Sequence, residues 1–291
     1  MKPPFQLFAL AASVLYATLG QPAHGQQASA VAASASHIAT QARCPAEMVQ
    51  VERSCVDRWE IATVEKRTHR ELSPYFPPHP VSLRRVFDTW QIERFTSGDA
   101  RARLLPMPEL PDWQLTEDFE PMAVSREGVT PQGYLSRDVA RRACNNAGKR
   151  LCRMDEWKRA CRGSANRDFP YGSNYVPGAC NVGRLTHAAY VLHGNASIGH
   201  LDPRLNLVWE QGRSALLRTT GATKTCVSRW HDDGIYDMVG NLDEWVDDEA
   251  AGFVGGFYAR SSTKGCDARV RTHPPSYFDY STGARCCRDA E

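Results

Sequence analysis

Ten cysteines constrain this chain more than any other feature. They stand at positions 44, 55, 144, 152, 161, 180, 226, 266, 286 and 287, all beyond an N-terminal segment that reads as an export signal. In that segment Lys2 supplies a positive start and Phe5 to Leu19 is an apolar run. Ala23-His24-Gly25 then sets small residues at a cleavage site. An even number of cysteines in an exported chain points to disulfides, each worth about 2–4 kcal/mol. No Cys-x-x-Cys pair occurs, which argues against a structural zinc. The expected product is a loop-rich body stapled by five bridges.

Three segments follow from this reading. Residues 1–25 are expected to be the signal peptide, and residues 26–43, rich in Ala, Ser and Gln, a disordered linker. Residues 44–291 are expected to be the folded domain. No cysteine follows the apolar run until Cys44, so a lipoprotein anchor is not expected. No later stretch approaches the roughly eighteen apolar residues of a membrane span, so no transmembrane segment is expected either. The expected localisation is exported, periplasmic or secreted. A formal net charge of +2, with 23% charged residues, gives no global attraction to nucleic acid.

Local order is patchy. Cys44 to Ile61 alternates like two strands around a polar turn, and a Cys44–Cys55 bridge would staple that hairpin. Lys66 to Arg126 carries eight prolines, at 74, 77, 78, 80, 106, 108, 111 and 121, and is expected to be a long irregular excursion. Within it Ser73 to Pro78 reads as a packed crossing in preference to a recognition surface. Ser136 to Ala147 is the clearest helix, with Val139, Ala140, Ala143, Cys144 and Ala147 at helical spacing, Ser136 as cap and Gly148 as stop. Met154 to Arg162 is a second, short helix that turns Trp157, Ala160 and Cys161 inward. Nine Lys or Arg against three acids between Arg137 and Arg162 read as the solvated outer faces of these helices. Beyond Gly163 only loops and short strands are expected, with Asp232-Asp233-Gly234 as a turn. The fold class is α+β, two helices against a small sheet.

Taken in order, several blocks resemble the formylglycine-generating enzyme family, also called the sulfatase-modifying factor domain. They are Ala147-Gly-Lys-Arg-Leu-Cys-Arg-Met-Asp-Glu-Trp157 with Ala160-Cys-Arg-Gly163, Phe169-Pro-Tyr-Gly172, Val239-Gly-Asn-Leu-Asp-Glu-Trp245, and Val254-Gly-Gly-Phe-Tyr258 with Gly283-Ala-Arg-Cys286. Cys55-Val-Asp-Arg-Trp-Glu60 is similar to the family's opening strand. The resemblance implies the family's variant of the C-type-lectin-like fold, rich in loops. It also implies bridges from the helices to the C-terminal strands, Cys144–Cys286 and Cys161–Cys266. Cys152–Cys287 and Cys180–Cys226 then remain.

Family enzymes oxidise a substrate cysteine with oxygen and a copper(I) ion held by two thiolates, soft ligands that select that ion. Here Arg260 stands where the first thiolate belongs. The second position falls at Gly265, beside Cys266. Phe257 replaces a motif serine and Asp243 a motif tryptophan. Copper is therefore not expected. Calcium is: the resemblance places it in the loop with ligands at Asp237, Gly240, Leu242 and Glu244, and a second, weaker site at Asn181 and Val182. Hard cations take such oxygen ligands from flexible loops.

Three functions remain open from sequence. The first is an exported family member without the copper centre, acting as a binding or structural module for an extended peptide or protein partner. The second is an enzyme of the same family that uses the groove differently, with Cys266, Arg260 and His273 as candidate participants. The third is a calcium-dependent, lectin-like surface module. Other enzyme classes find no support, since there is no His-x-x-x-His pair, no Gly-x-Ser-x-Gly elbow and no phosphate-cradling glycine loop.

Overall fold

The computed structural model describes residues 44–94, 100, 104–210, 214–248, 250 and 252–291. The expected signal and linker lie outside the described residues. Strands β1 (Met48–Val51) and β2 (Ser54–Asp57) form the anticipated hairpin. The C-terminal strand β12 (Cys286–Asp289) pairs antiparallel with β2, and on its other side with β5 (Arg150–Leu151). A second four-stranded sheet has the order β10 (Arg269–Val270), β9 (Phe253–Val254), β8 (Asp243–Trp245), β11 (Thr282–Ala284). Its β8–β11 pair is parallel and sets Asp243 opposite Thr282 and Glu244 opposite Gly283. Two two-stranded ribbons complete the set: β3 (Ile61–Glu65) with β4 (Pro121–Ser125), and β6 (Val227–Trp230) with β7 (Asp233–Tyr236).

All five bridges form as expected: Cys44–Cys55, Cys144–Cys286, Cys152–Cys287, Cys161–Cys266 and Cys180–Cys226. Cys286 and Cys287 are neighbours on β12, where alternate side chains leave opposite faces. Each therefore reaches a different partner, Cys286 the helix at Cys144 and Cys287 the strand end at Cys152.

Both expected helices are present, Arg137–Asn146 and Met154–Arg162. Ser136 caps the first by accepting from the Val139 N–H at 3.2 Å, and Gly148 follows its end with φ +69°. Basic residues on and between these helices meet carboxylates: Arg141 reaches Asp247, Lys149 reaches Asp57, Arg150 and Arg153 reach Glu156, Arg159 reaches Glu52, and Lys158 and Arg162 reach Asp267.

Two expectations need correcting. The proline-rich excursion contains helix α1 (Pro80–Glu93), helix α2 (Asp112–Thr116) and strand β4. Prolines break a helix only in its interior, and Pro80 occupies the start of α1, where its missing N–H costs nothing. Leu72, Phe76, Leu83, Val86 and Phe119 bury together there as a satellite core, so Ser73 to Pro78 is the packed crossing expected. Beyond Gly163 a short helix, Ala188–His193, also forms, ended by Gly194 in the left-handed conformation. In chain order the remaining helices are α3 (Arg137–Asn146), α4 (Met154–Arg162) and α5 (Ala188–His193). The main core gathers around Trp157, Trp230, Val254 and the Cys161–Cys266 and Cys180–Cys226 bridges. Among the described residues no helix is long and apolar enough to cross a membrane.

Candidate functional site

The loop leading into β8 is held from three sides. Its Asp237, Gly240 and Asn241 all have positive φ, at +58°, +82° and +63°. The Gly240 N–H donates to Gly255 O at 3.1 Å and the Asn241 N–H to Asn181 O at 2.8 Å. The Asn241 amide donates to Glu60 Oε2 at 2.6 Å, and Glu60 Oε1 accepts the Leu242 N–H at 3.1 Å. Burial, then the nearby charges of Asp237 and Glu244, push Glu60 well above the usual carboxylate range. A deeply buried Glu60 thus serves as a brace for the loop.

Successive residues of a strand face opposite ways, so β8 sends Asp243 and Glu244 into different surroundings. Glu244 faces a fully buried arginine. Arg285 donates to Glu244 Oε1 at 2.9 Å and Oε2 at 3.2 Å, to Asp57 O at 2.8 Å and to Tyr236 O at 2.8 Å. The Trp157 indole N–H adds a bond to Glu244 Oε2 at 2.6 Å.

This arrangement bears on calcium. Both oxygens of Glu244 are engaged by donors, one of them a guanidinium, so Glu244 does not fit the ligand role that the resemblance implies. Asp237 accepts the Gly221 N–H at 2.6 Å and is pushed up to about 6, chiefly by burial. Asn181 uses its amide N–H groups on Leu216 O and Asn241 Oδ1, at 2.8 and 2.9 Å, and its buried Oδ1 has no hydrogen-bond partner. Val182 lies next to it, with its own N–H bonded to Cys180 O at 3.0 Å. Among the described residues no group of three or more His, Cys, Asp or Glu side chains is arranged to hold a metal.

Asp243 faces the other way and lies buried behind Arg260, which lines a recess of about 370 Å³ together with His187, His200, Phe253, Phe257, His273, Tyr277, Asp279 and Tyr280. Arg260 Nη2 donates to Asp243 Oδ2 at 2.6 Å, and its guanidinium lies 5.3 Å from the centre of the Phe257 ring. Burial pushes Asp243 up to about 7, against the pull of Arg260. His273 stacks on Tyr277 at 3.8 Å between ring centres, and Tyr277 OH donates to Asp279 Oδ2 at 2.6 Å. His187 meets Phe257 and Tyr280 edge-on, and burial followed by His200 lowers its pKa.

Of the three candidate participants, Arg260 and His273 thus share one recess. Cys266 does not: it is 2% exposed and bridged to Cys161, so it has no thiol to offer. His187, His200, Tyr277 and Asp279 were not singled out from sequence. The two histidines carry no spacing signal, but the aromatic run Tyr277-Phe278-Asp279-Tyr280 just before β11 was a legible cue.

Residues 112–290 match the family described as "Sulfatase-modifying factor enzyme 1-like domain", FGE-sulfatase. The chain belongs to this family. Its architecture, a few helices with several small sheets and five disulfides, is that of a formylglycine-generating-enzyme-like α+β domain. Among solved structures, this sulfatase-modifying-factor domain is similar to that titled "Crystal Structure of CarF", at 12% identity over 82% of this chain and 87% of that one, with a TM-score of 0.38. It is also similar to "Structure of PvdO from Pseudomonas aeruginosa", at 13% identity over 81% of this chain and 80% of that one, with a TM-score of 0.37. The "Major Tropism Determinant P3c Variant" aligns at 14% identity over 84% of this chain and 53% of its own, with a TM-score of 0.41. No curated protein sequence matches the chain.

Proposed function

We propose that this sulfatase-modifying-factor domain is an exported binding module that holds an extended peptide segment in the Arg260 recess and performs no copper-dependent oxidation there. One observation carries the reading: Arg260, at the position of the first family thiolate, is spent on an ion pair with Asp243 at 2.6 Å. The bridge from Cys266 to Cys161 adds to it, since a copper(I) site needs free thiolates. The aromatic walls at Phe257, Tyr277 and Tyr280 suit apolar side chains, and Arg260 offers a partly exposed guanidinium to a backbone carbonyl.

Three further parts belong to the reading. Five bridges suit an oxidising compartment, in keeping with export. Arg141 of α3, Arg150 of β5 and Arg159 and Arg162 of α4 are paired with carboxylates, which supports the absence of a nucleic-acid partner. The loop from Asp237 to Glu244 is held by Arg285 and Glu60 in place of calcium.

The test uses the disulfide-intact protein. Titration with copper(I) against a competing chelator is expected to show no stoichiometric uptake, and a displayed peptide library is expected to yield binders that lose affinity to Arg260→Met. Uptake of one copper per chain, or oxidation of a cysteine-containing peptide under oxygen, would overturn the reading.

A further inference from the structure

A second cleft, of about 640 Å³, opens on Trp209, which is 65% exposed, and is separate from the Arg260 recess. Its volume lies in the range of small-molecule sites. On either side of Trp209 the backbone is paired: Glu210 N–H donates to Ser214 O at 3.1 Å and Leu216 N–H to Val208 O at 3.0 Å, with Trp209 bridged to Ala215. The indole is presented to solvent from this paired backbone. A large aromatic left outside the core while Leu205, Val208 and Leu216 beside it are buried calls for an explanation.

The floor of the cleft adds charge and hydroxyls. Arg218 is half-buried there, and its guanidinium donates to Thr223 Oγ1 at 2.9 Å. Among the described residues no carboxylate forms an ion pair with it, whereas neighbouring Arg184 is matched by Glu210 at 2.7 Å. Burial and then Arg184 lower the pKa of Arg218, against the longer-range pull of Asp237 and Glu210. Thr130, Ser214 and Thr219 line the cleft with short hydroxyl side chains, and Tyr75 closes one side.

A flat exposed indole, a guanidinium with no direct ion pair and a hydroxyl-bearing wall are complementary to one ligand chemistry. A sugar ring has an apolar C–H face that packs on an aromatic plane, while its hydroxyls bond to short polar side chains. A carboxylate on that ring would pair with the guanidinium. A peptide strand would instead need a free sheet edge, and nothing lining the cleft supplies one beyond the paired backbone around Trp209. We infer that this cleft is a carbohydrate site for acidic, uronate-containing saccharides, with Trp209 as the stacking platform and Arg218 as the carboxylate partner.

The experiment titrates the intact protein with an oligogalacturonide, its neutral oligogalactose counterpart and a glutamate-rich peptide, read by calorimetry and tryptophan fluorescence. The oligogalacturonide is expected to bind with a fluorescence change, and the neutral sugar at least about tenfold more weakly, since one charge-assisted pair is lost. Trp209→Ala, an exposed change that leaves the melting temperature in place, should weaken the uronide by about tenfold or more. Arg218→Gln should bring uronide and neutral sugar to the same affinity. Arg260→Met should leave uronide binding unchanged, which keeps this site distinct from the peptide recess. Absence of uronide binding, equal affinity for wild type and Trp209→Ala, or binding of the acidic peptide alone would overturn the assignment.

Discussion

Arg260 and Asp243 hold each other at 2.6 Å, the aspartate 1% exposed and the arginine 32% exposed along their side chains. By the resemblance read in the sequence, Arg260 falls at a thiolate position and Asp243 at a tryptophan position. In the structure the two side chains answer one another. An arginine alone would leave an unmatched cation over Phe257, and an aspartate alone would leave a buried charge with no partner. Phe257, the third such position, supplies the ring against which the guanidinium lies. Three residues spread over eighteen positions of chain, Asp243, Phe257 and Arg260, therefore act together at one wall of the recess.

Breaking that pair from one side should cost more than removing it whole. Arg260→Met leaves Asp243 buried without a counter-ion, and a loss of about 2–4 kcal/mol is expected, at the lower end because Arg260 keeps some contact with water. The double change Arg260→Met with Asp243→Leu should recover most of that loss. Urea unfolding of the four proteins in a double-mutant cycle measures the coupling. Additive losses would show that the two side chains do not interact in solution.

Asp243 also makes a pH prediction. Its folded pKa is pushed up from 3.8 to about 7, so between those values the folded state holds a proton that the unfolded chain has released. Stability from this group is therefore greatest below the unfolded value and falls as pH rises toward 7. Asp243→Asn removes the titration, so its stability relative to wild type should grow steadily from pH 4 to pH 7.5. Thermal unfolding across that range is the measurement. Glu65 works in the opposite sense, held down at about 2 by Thr68 and the Arg67 N–H, and its contribution is lost only as pH falls from 4.5 toward 2.

How far the sequence reached depends on the range of the interactions involved. Helices α3 and α4 were legible because cap, stop and apolar spacing lie within a dozen residues of each other. The family resemblance made Cys144–Cys286 and Cys161–Cys266 legible as well, although they join residues 142 and 105 positions apart, and Cys152–Cys287 remained only by elimination. Helix α1 was missed because Pro80 was read as a breaker in a proline-rich setting, when a proline at the first turn, here after the cap His79, is a starter. The recess was half legible. Arg260 and His273 were named from position and residue type, but His187 and Asp279 join them only through folding of the α5 segment and the loop before β11. The engagement of Glu244 by Arg285 was not legible, since a carboxylate's partner 41 positions away leaves no local trace.

Arg285 should tolerate no substitute, lysine included. Its planar fork serves two backbone carbonyls and both oxygens of Glu244 at once, which one ammonium group cannot do. Arg285→Lys leaves buried acceptors unmet at about 1–3 kcal/mol each, and a large fall in melting temperature is expected. Calcium should not matter to the same loop. Adding calcium to chelator-treated protein should leave the midpoint in place, whereas a site filled at about a hundred times its Kd would add about 2.7 kcal/mol. A calcium-dependent rise would show that Glu244 leaves Arg285 for the ion.

Gly240 separates conformational strain from close approach. Its φ is +82°, and a Cβ there would lie 2.3 Å from Asn181 O and 2.5 Å from the carbonyl carbon behind it. These are backbone atoms already bonded to the Asn241 N–H, so they cannot swing aside as a side chain would. Gly128 has a similar φ of +77°, but a Cβ there would meet nothing within 4 Å. Gly128→Ala should therefore cost only the left-handed penalty, about 1–2 kcal/mol. Gly240→Ala should cost at least about 2 kcal/mol more, because it also drives the loop off Asn181. Chemical denaturation of both variants gives the difference directly. Equal losses would mean that the loop before β8 is not pressed against Asn181, and the placement of Asp243 and Glu244 on opposite sides of β8 would lose its anchor.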